Sequence, residues 1–263
     1  NFLNPTNLLN VLKQVSFLAI LGIGFGLAFT VAELDLSFAA VCSFACVVTG
    51  GLLHHKYPPA AAVAGGLGVG LAAGLLNGQL VTRLKIPSVI ATLATASVAT
   101  GLGFAVTGGV AFMGRWDPGF LALGRGHVLG IPVLILWTVS VALVAWVVLM
   151  LTRVGLHLVF TGVADEAARL AGVKTRRMKA LGLLGSSLCA GLVGVLLTAT
   201  LNSAAPNMAA DYLLTSIAAV LLGQWLLKSK FGKLLLALRD KEERVRFSGY
   251  DVAAFKIFIF TLA

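Results

Sequence analysis

"IPVLILWTVSVALVAWVVLML" occupies residues 131–151 and contains no charged side chain. About 20 helical residues, rising 1.5 Å each, are enough to cross the hydrocarbon core of a bilayer. The run does not alternate apolar and polar residues, as the strands of a membrane β-barrel do. Comparable apolar segments lie at 11–32, 36–53, 60–81, 88–107, 180–201 and 211–227, and another begins at 257. Over all 263 residues, 59% are hydrophobic and 11% charged, whereas a soluble domain carries about 25% charged residues. The mean hydropathy is +0.97. The expected fold is all-α: a polytopic transmembrane helical bundle of about seven full spans plus the start of another.

The formal charge is +10, from 20 Lys and Arg against 10 Asp and Glu. In a soluble protein such a balance points to nucleic acid. Here the basic residues gather between apolar runs, where they set topology and meet lipid headgroups, so no nucleic-acid partner is expected. Segments 152–179 and 228–256 together hold fourteen of the twenty basic residues. Two spans separate them, so parity puts both on one side, and the positive-inside rule makes that side cytoplasmic. By the same count "TRLK" (82–85) falls inside, while "HHKYPP" (54–59) and 108–130 fall outside. Residue 1 is outside if 11–32 and 36–53 are separate spans, and inside if they form one broken span. Cys42, Cys46 and Cys189 all sit in apolar runs, which favours packing over a disulfide framework. Both ends look truncated: "NFLNPTNLLN" resembles a chain entered partway, and "FKIFIFTLA" stops within an apolar run.

Two polar segments share one plan, "DEAARLAG" (165–172) and "EERVRFSG" (242–249). A constant offset of 77 residues pairs Glu166 with Glu243, Arg169 with Arg246, Gly172 with Gly249 and Lys179 with Lys256, and aligns Asp165 with Glu242. A spacing that holds over many positions marks a repeated unit. Each copy reads as a short helix with acids at its N-terminal end, favourable to the dipole. Gly172 and Gly249 would close the helices in the left-handed conformation that glycine adopts cheaply. In the first copy Ala164, Ala167, Ala168 and Ala171 follow helical spacing and predict one smooth face that could pack into a groove on another protein. The alternative is an amphipathic linker on the membrane surface.

The segment 161–173 resembles the coupling loop of ATP-binding-cassette importer permeases, whose short helix sits in a cleft of the cytoplasmic ATPase. "FLNPTNLLNVLKQVSFLAI", "ELDLSFAA", "LLNGQLVTRLKIPSVIATLAT", "TGVADEAARLAGV" and "SIAAVLLG" are similar, in order, to ribose/xylose-type sugar permeases across 1–223. That likeness implies a first domain, 1–223, whose N-terminal span is missing. From 224 onward, "KFGKLLLALRDKEERVRFSGYDVAAFKIFIF" is similar to the coupling loop of urea and branched-chain amino-acid permeases of the same superfamily. It implies a truncated second segment, 224–263, and a hybrid or fused chain. The resemblance further implies contact with the ATPase through Asp165, Glu166, Arg169, Gly172, Glu242, Glu243, Arg246 and Gly249. The implied partners are the cytoplasmic ATPase, a periplasmic or lipoprotein substrate-binding protein and a second permease subunit. The implied location is the bacterial inner membrane. Where the sugar family has "GGIDLSVG", this chain has Ala32 and Glu33 for the paired glycines and Ala39 for the later one.

Glu33 and Asp35 lie between two apolar runs. A charge at membrane depth costs about 2.5–3.5 kcal/mol on insertion scales, so such residues mark either a translocation path or an interfacial turn. Asn77 could line the same path or hydrogen-bond between helices. Gly66, Gly70 and Gly74 recur every four residues, a pattern for close helix packing. His54 and His55 are adjacent without acids or thiols nearby, so no metal site is expected. The stretch 108–132, with Trp116, Asp117 and two arginines, suits either a binding-protein surface or an ordinary loop. No P-loop occurs, so this chain binds no cofactor itself, and ATP and Mg belong to the partner. Four readings remain open: a monosaccharide permease subunit of an ATP-driven importer, a urea or branched-chain amino-acid permease, an ion-coupled secondary transporter and, as the residual option, a purely structural membrane protein.

Overall fold

The computed structural model describes residues 5–229. Ten α-helices follow one another in these residues: α1 Pro5–Thr30, α2 Phe38–His54, α3 Pro59–Thr82, α4 Ser88–Thr107, α5 Pro118–Arg125, α6 Val133–Trp146, α7 Arg153–Val163, α8 Asp165–Leu170, α9 Thr175–Leu201 and α10 Tyr212–Lys228. A π-helical turn, Val147–Leu151, prolongs α6. Four two-residue strands form two small antiparallel ladders. β1 Phe112–Met113 pairs with β4 Ser203–Ala204, and β2 His127–Val128 pairs with β3 Ile131–Pro132. The chain divides into two compact units, Asn1–Ile217 and Ala218–Ala263, and the described part of the second is the end of α10 with Ser229.

Proline sets five of the ten described helix starts. Pro5, Pro59 and Pro118 are the first residues of α1, α3 and α5, and Pro58, Pro87 and Pro132 are the N-caps of α3, α4 and α6. The first helical turn has no use for the missing N–H, and the ring holds φ at a helical value.

Among the described residues five helices are long and apolar enough to cross a membrane: α1 from Leu9, α3, α4, α6 with its π turn, and α9. Apolar α2 and α10 have 17 residues each, about 25 Å, short of that length. The fold class is therefore as expected, whereas seven full spans are not met by length. The reason at α2 is that residues 31–37 are non-helical and the helix begins only at Phe38.

α9 is the centre of the first unit, packed by α1, α2 and α3. Leu27 of α1 meets α9 at Gly182 and Gly185, and Gly24 meets it at Cys189, so α1 runs antiparallel to α9. Cys42 and Ala45 of α2 meet Gly194, and Gly50 meets Ala204, so α2 runs parallel to α9. Residues 11–53 are thus a hairpin of two helices with opposite directions, not one broken span. Glycine lets α3 and α9 touch backbone to backbone. A Cβ at Gly70 would lie 3.1 Å from Gly191 Cα and would collide with Ser187 O, so the glycines of α3 serve close packing. In α6 only Leu134 is buried. An apolar helix with so little of its surface buried in the bundle suits a membrane span.

The connections collect at two ends. Residues 82–88, 153–179 and Glu33 share a basic end, around one recess between the α3–α4 turn and α8–α9. The α2 C-terminus, β1, α5 and β4 share the other. There the expected loop 108–130 is largely built structure. Asp117 caps α5 by accepting from Gly119 N at 2.7 Å and Phe120 N at 3.3 Å. Trp116 is buried, and Arg125 Nε donates to Thr200 O at 2.8 Å.

Candidate functional site

The α1–α2 break begins with a helix end. Glu33 N donates to Ala28 O at 3.1 Å and Ala32 N to Phe29 O at 3.0 Å, the paired bonds of a Schellman motif. The residue that must turn left-handed is Ala32, at φ +58°, a conformation that costs a residue with a Cβ about 1–2 kcal/mol. The next residues are non-helical, and hydroxyls of α4 meet part of their backbone. Leu34 N donates to Ser88 Oγ at 3.2 Å and Leu36 N to Thr92 Oγ1 at 3.1 Å.

Asp35 ends a directed chain of hydrogen bonds. Thr95 Oγ1 donates to Asn77 Oδ1 at 2.6 Å, Asn77 Nδ2 donates to Ser37 Oγ at 2.9 Å, and Ser37 Oγ donates to Asp35 Oδ1 at 2.6 Å. Ser37 N also donates to Asp35 Oδ1, at 2.9 Å. Asp35, Ser37 and Asn77 are wholly buried and Thr95 nearly so, so the chain ties the break to α3 and α4 inside the bundle. The hydroxyls of Ser186 and Ser187 lie near the Asp35 carboxylate without forming a hydrogen bond to it, and Asp35 Oδ2 has no partner among the described residues. Ser186 is the twelfth of the 27 residues of α9, which puts Asp35 near mid-helix rather than at an end.

Glu33 is held differently. Lys179 Nζ lies 3.0 Å from Glu33 Oε1 and 3.9 Å from Asp165 Oδ1. One lysine in the first turns of α9 thus joins the break to the start of α8. The three side chains line a recess of about 750 Å³ together with Lys85, Arg169 and Lys174.

Helix α8 closes as its glycine requires. Gly172 has φ +83°; its N–H donates to Arg169 O at 3.0 Å, and Val173 N donates to Ala168 O at 2.9 Å, a second Schellman end. Val173 then packs against the buried cluster of Val31, Leu158 and Met178, so α8 is anchored beside the break by apolar contact as well as by charge. Glu166 and Arg169 are exposed. The alanines do not form the single outward face expected from their spacing. Ala168 is fully buried, whereas Ala167 and Ala171 are exposed. A six-residue helix lying on a protein surface must turn one side inward. The outward side instead carries Leu170, 86% exposed. Neither Leu170 nor Lys179 stood out as a site residue in the sequence. Glu242, Glu243, Arg246 and Gly249, and with them the second copy of the segment, lie outside the described residues.

The profile of the family described as "branched-chain amino acid transport system / permease component" matches residues 7–226. The chain is 34% identical over 236 residues to the ribose import permease protein RbsC of Bacillus subtilis (strain 168), covering 89% of this chain and 73% of that one. It is 30% identical over 240 residues to RbsC of Escherichia coli (strain K12), covering 89% and 74%. It is 32% identical over 234 residues to the L-arabinose transport system permease protein AraH of the same strain, covering 89% and 71%. No solved structure matches the chain.

Proposed function

From the premise that this chain belongs to the branched-chain amino acid transport system permease family, we propose that its geometry serves ATP-driven uptake of a monosaccharide of the ribose–arabinose kind. The chain is a multi-pass membrane permease of a sugar ATP-binding-cassette importer, a transport component and not an enzyme. The similarity to ribose and arabinose permeases over 89% of the chain favours the sugar over urea, a branched-chain amino acid or ion-coupled transport.

In this reading α2 and α10 also cross the bilayer, giving seven crossings, and the membrane is the bacterial inner one. The basic end faces the cytoplasm, in keeping with the positive-inside rule. There α8 enters a cleft of a separate ATPase, which holds ATP and Mg. Leu170 supplies the apolar contact, with Glu166 and Arg169 as its polar rim. The ion pairs of Lys179 carry the movement of α8 to the α1–α2 break. Asp35, beside that break at mid-helix, borders the path, and Asn77 holds the break against α3 and α4. A substrate-binding protein delivers sugar at the opposite end, and a second permease subunit completes the path. Alternating access then follows from movement of packed helices. The domain boundary at 223/224 belongs to the same reading, with the tail as a second coupling segment.

The observation that carries this reading is the contact of Lys179 with both Glu33 and Asp165, which joins an exposed capped helix to a helix break. The test is uptake of labelled ribose and arabinose by proteoliposomes holding the permease with its ATPase, with ATP inside and binding protein outside. ATP-dependent accumulation, not competed by leucine or urea, is expected. Accumulation driven by an ion gradient without ATP would overturn it.

A further inference from the structure

At the basic end a groove of about 570 Å³ opens between α3 and α9. Its floor is Gly74, Gly78 and Ala180, the small residues that bring the two helices close. Its apolar wall includes Leu75 and Leu181, 49% and 43% exposed. Its mouth carries Arg83 from the end of α3 and Arg176 and Arg177 from the first turn of α9. All three arginines are exposed, and no acid or hydrogen-bond acceptor is paired with them among the described residues.

Topology alone asks only that basic residues lie near the ends of spans. It does not ask that three guanidinium groups from two helices converge on one apolar groove. Nor do Arg176 and Arg177 support their own helix, because cations are disfavoured at the N-terminal end of the dipole. The arrangement is complementary to a molecule with an anionic head and hydrocarbon tail. The head meets planar, bidentate donors suited to phosphate, and the tail runs along leucine and glycine toward the bilayer centre. The volume is that of an ordinary small-molecule site.

We infer that the α3–α9 groove binds an anionic phospholipid of the leaflet at the basic end, its phosphate on Arg83, Arg176 and Arg177 and an acyl chain against Leu75 and Leu181. The inference rests on the chain spanning a membrane and not on its substrate or on its ATPase, so it stands or falls apart from the transport reading. Basic recesses between membrane helices are established places for anionic headgroups.

Thermal unfolding of the delipidated protein in neutral detergent tests it, with phosphatidylglycerol, phosphatidylcholine or inorganic phosphate added. Phosphatidylglycerol should raise Tm by roughly 5 °C, as expected for a ligand well above its dissociation constant, and the other two should leave it unchanged. The triple variant Arg83→Gln/Arg176→Gln/Arg177→Gln should lose that rise. Leu181→Trp, which keeps every charge but fills the groove, should lose it as well, and it carries the test should the triple variant fail to fold. Lys56→Gln/Arg115→Gln, at the opposite end, should keep it. An equal rise with inorganic phosphate would reduce the site to a free-anion site and overturn the inference. So would a rise that survives both groove variants. A triple variant that keeps the rise but no longer retains the ATPase would hand the arginines to the protein partner, with the same result.

Discussion

Lys179 Nζ stands 3.0 Å from Glu33 Oε1 at the α1–α2 break, and its second carboxylate, 3.9 Å away, belongs to Asp165 of α8. The pair ties the end of α1 to the start of α9 through side chains as well as through packing. The Glu33 side chain is 11% exposed and that of Lys179 27%, so the pair is partly screened and contributes about 1 kcal/mol or less to stability. Its larger effect should be on coupling. Glu33→Gln and Lys179→Met should each reduce ATP-driven uptake severalfold while the ATPase still co-purifies. The exchange Glu33→Lys/Lys179→Glu should recover part of the loss. Unchanged uptake in both single variants would remove the link from the mechanism.

Ala32 makes a prediction of unusual sign. Glycine there relieves about 1 kcal/mol of left-handed strain, partly offset by about 0.4–1 kcal/mol from the freer unfolded chain. Ala32→Gly should therefore be neutral or mildly stabilising in thermal unfolding. The same change at Ala28, buried within α1, should cost about 1 kcal/mol or more. A clear loss at Ala32 would mean that its φ is not under strain.

Asp35 and Asn77 should separate function from stability. Asp35→Asn keeps an oxygen to accept from Ser37, so folded protein should be retained while transport falls. Asn77→Ala removes two buried hydrogen bonds, from Thr95 and to Ser37, although Thr95 keeps Ala91 O and Ser37 keeps Asp35, and should cost about 1–3 kcal/mol. The measurements are uptake in vesicles and the amount of monodisperse protein after extraction. Full transport in Asp35→Asn would make the carboxylate a structural cap of the break.

At α8, Leu170→Glu should release the ATPase most strongly, with Glu166→Lys weaker at about 0.3–1 kcal/mol through the helix dipole. Gly172→Ala opposes the left-handed turn by about 1–2 kcal/mol and should loosen the same contact. Membrane insertion should be unaffected in all three. Glu243→Lys in the second copy should matter less, and release of the ATPase by that change alone would reverse the ranking of the two segments.

Gly70 should tolerate nothing larger. A Cβ there meets backbone on α9, at Ser187 and Gly191, and backbone cannot move aside as a side chain can. Gly70→Ala should lower stability by about 1–3 kcal/mol, read as a drop in Tm, whereas Gly68→Ala, with open space around it, should not.

The sequence by itself determined the class of the fold and the positions of its long apolar helices, because the signals involved are local. Uncharged runs mark the long apolar helices, and Gly172 marks the end of α8. The pairing of the two basic connections, 152–179 and 228–256, rests on a count of spans, and nearly all of the second connection lies outside the described residues. Tertiary structure decided what depends on helix rotation and relative depth. The 3.6-residue period shows that Ala164, Ala167, Ala168 and Ala171 lie close on a helix but not which of them turns inward, and Ala168 does. Helix α9 is small and apolar on several sides, so its composition does not reveal that Gly191 meets Gly70 or that Ser186 and Ser187 face Asp35. Glu33 and Lys179 carry no mutual signature in a chain read residue by residue. Their contact exists because α1 ends where α9 begins its climb, and only the packing of antiparallel helices sets that depth.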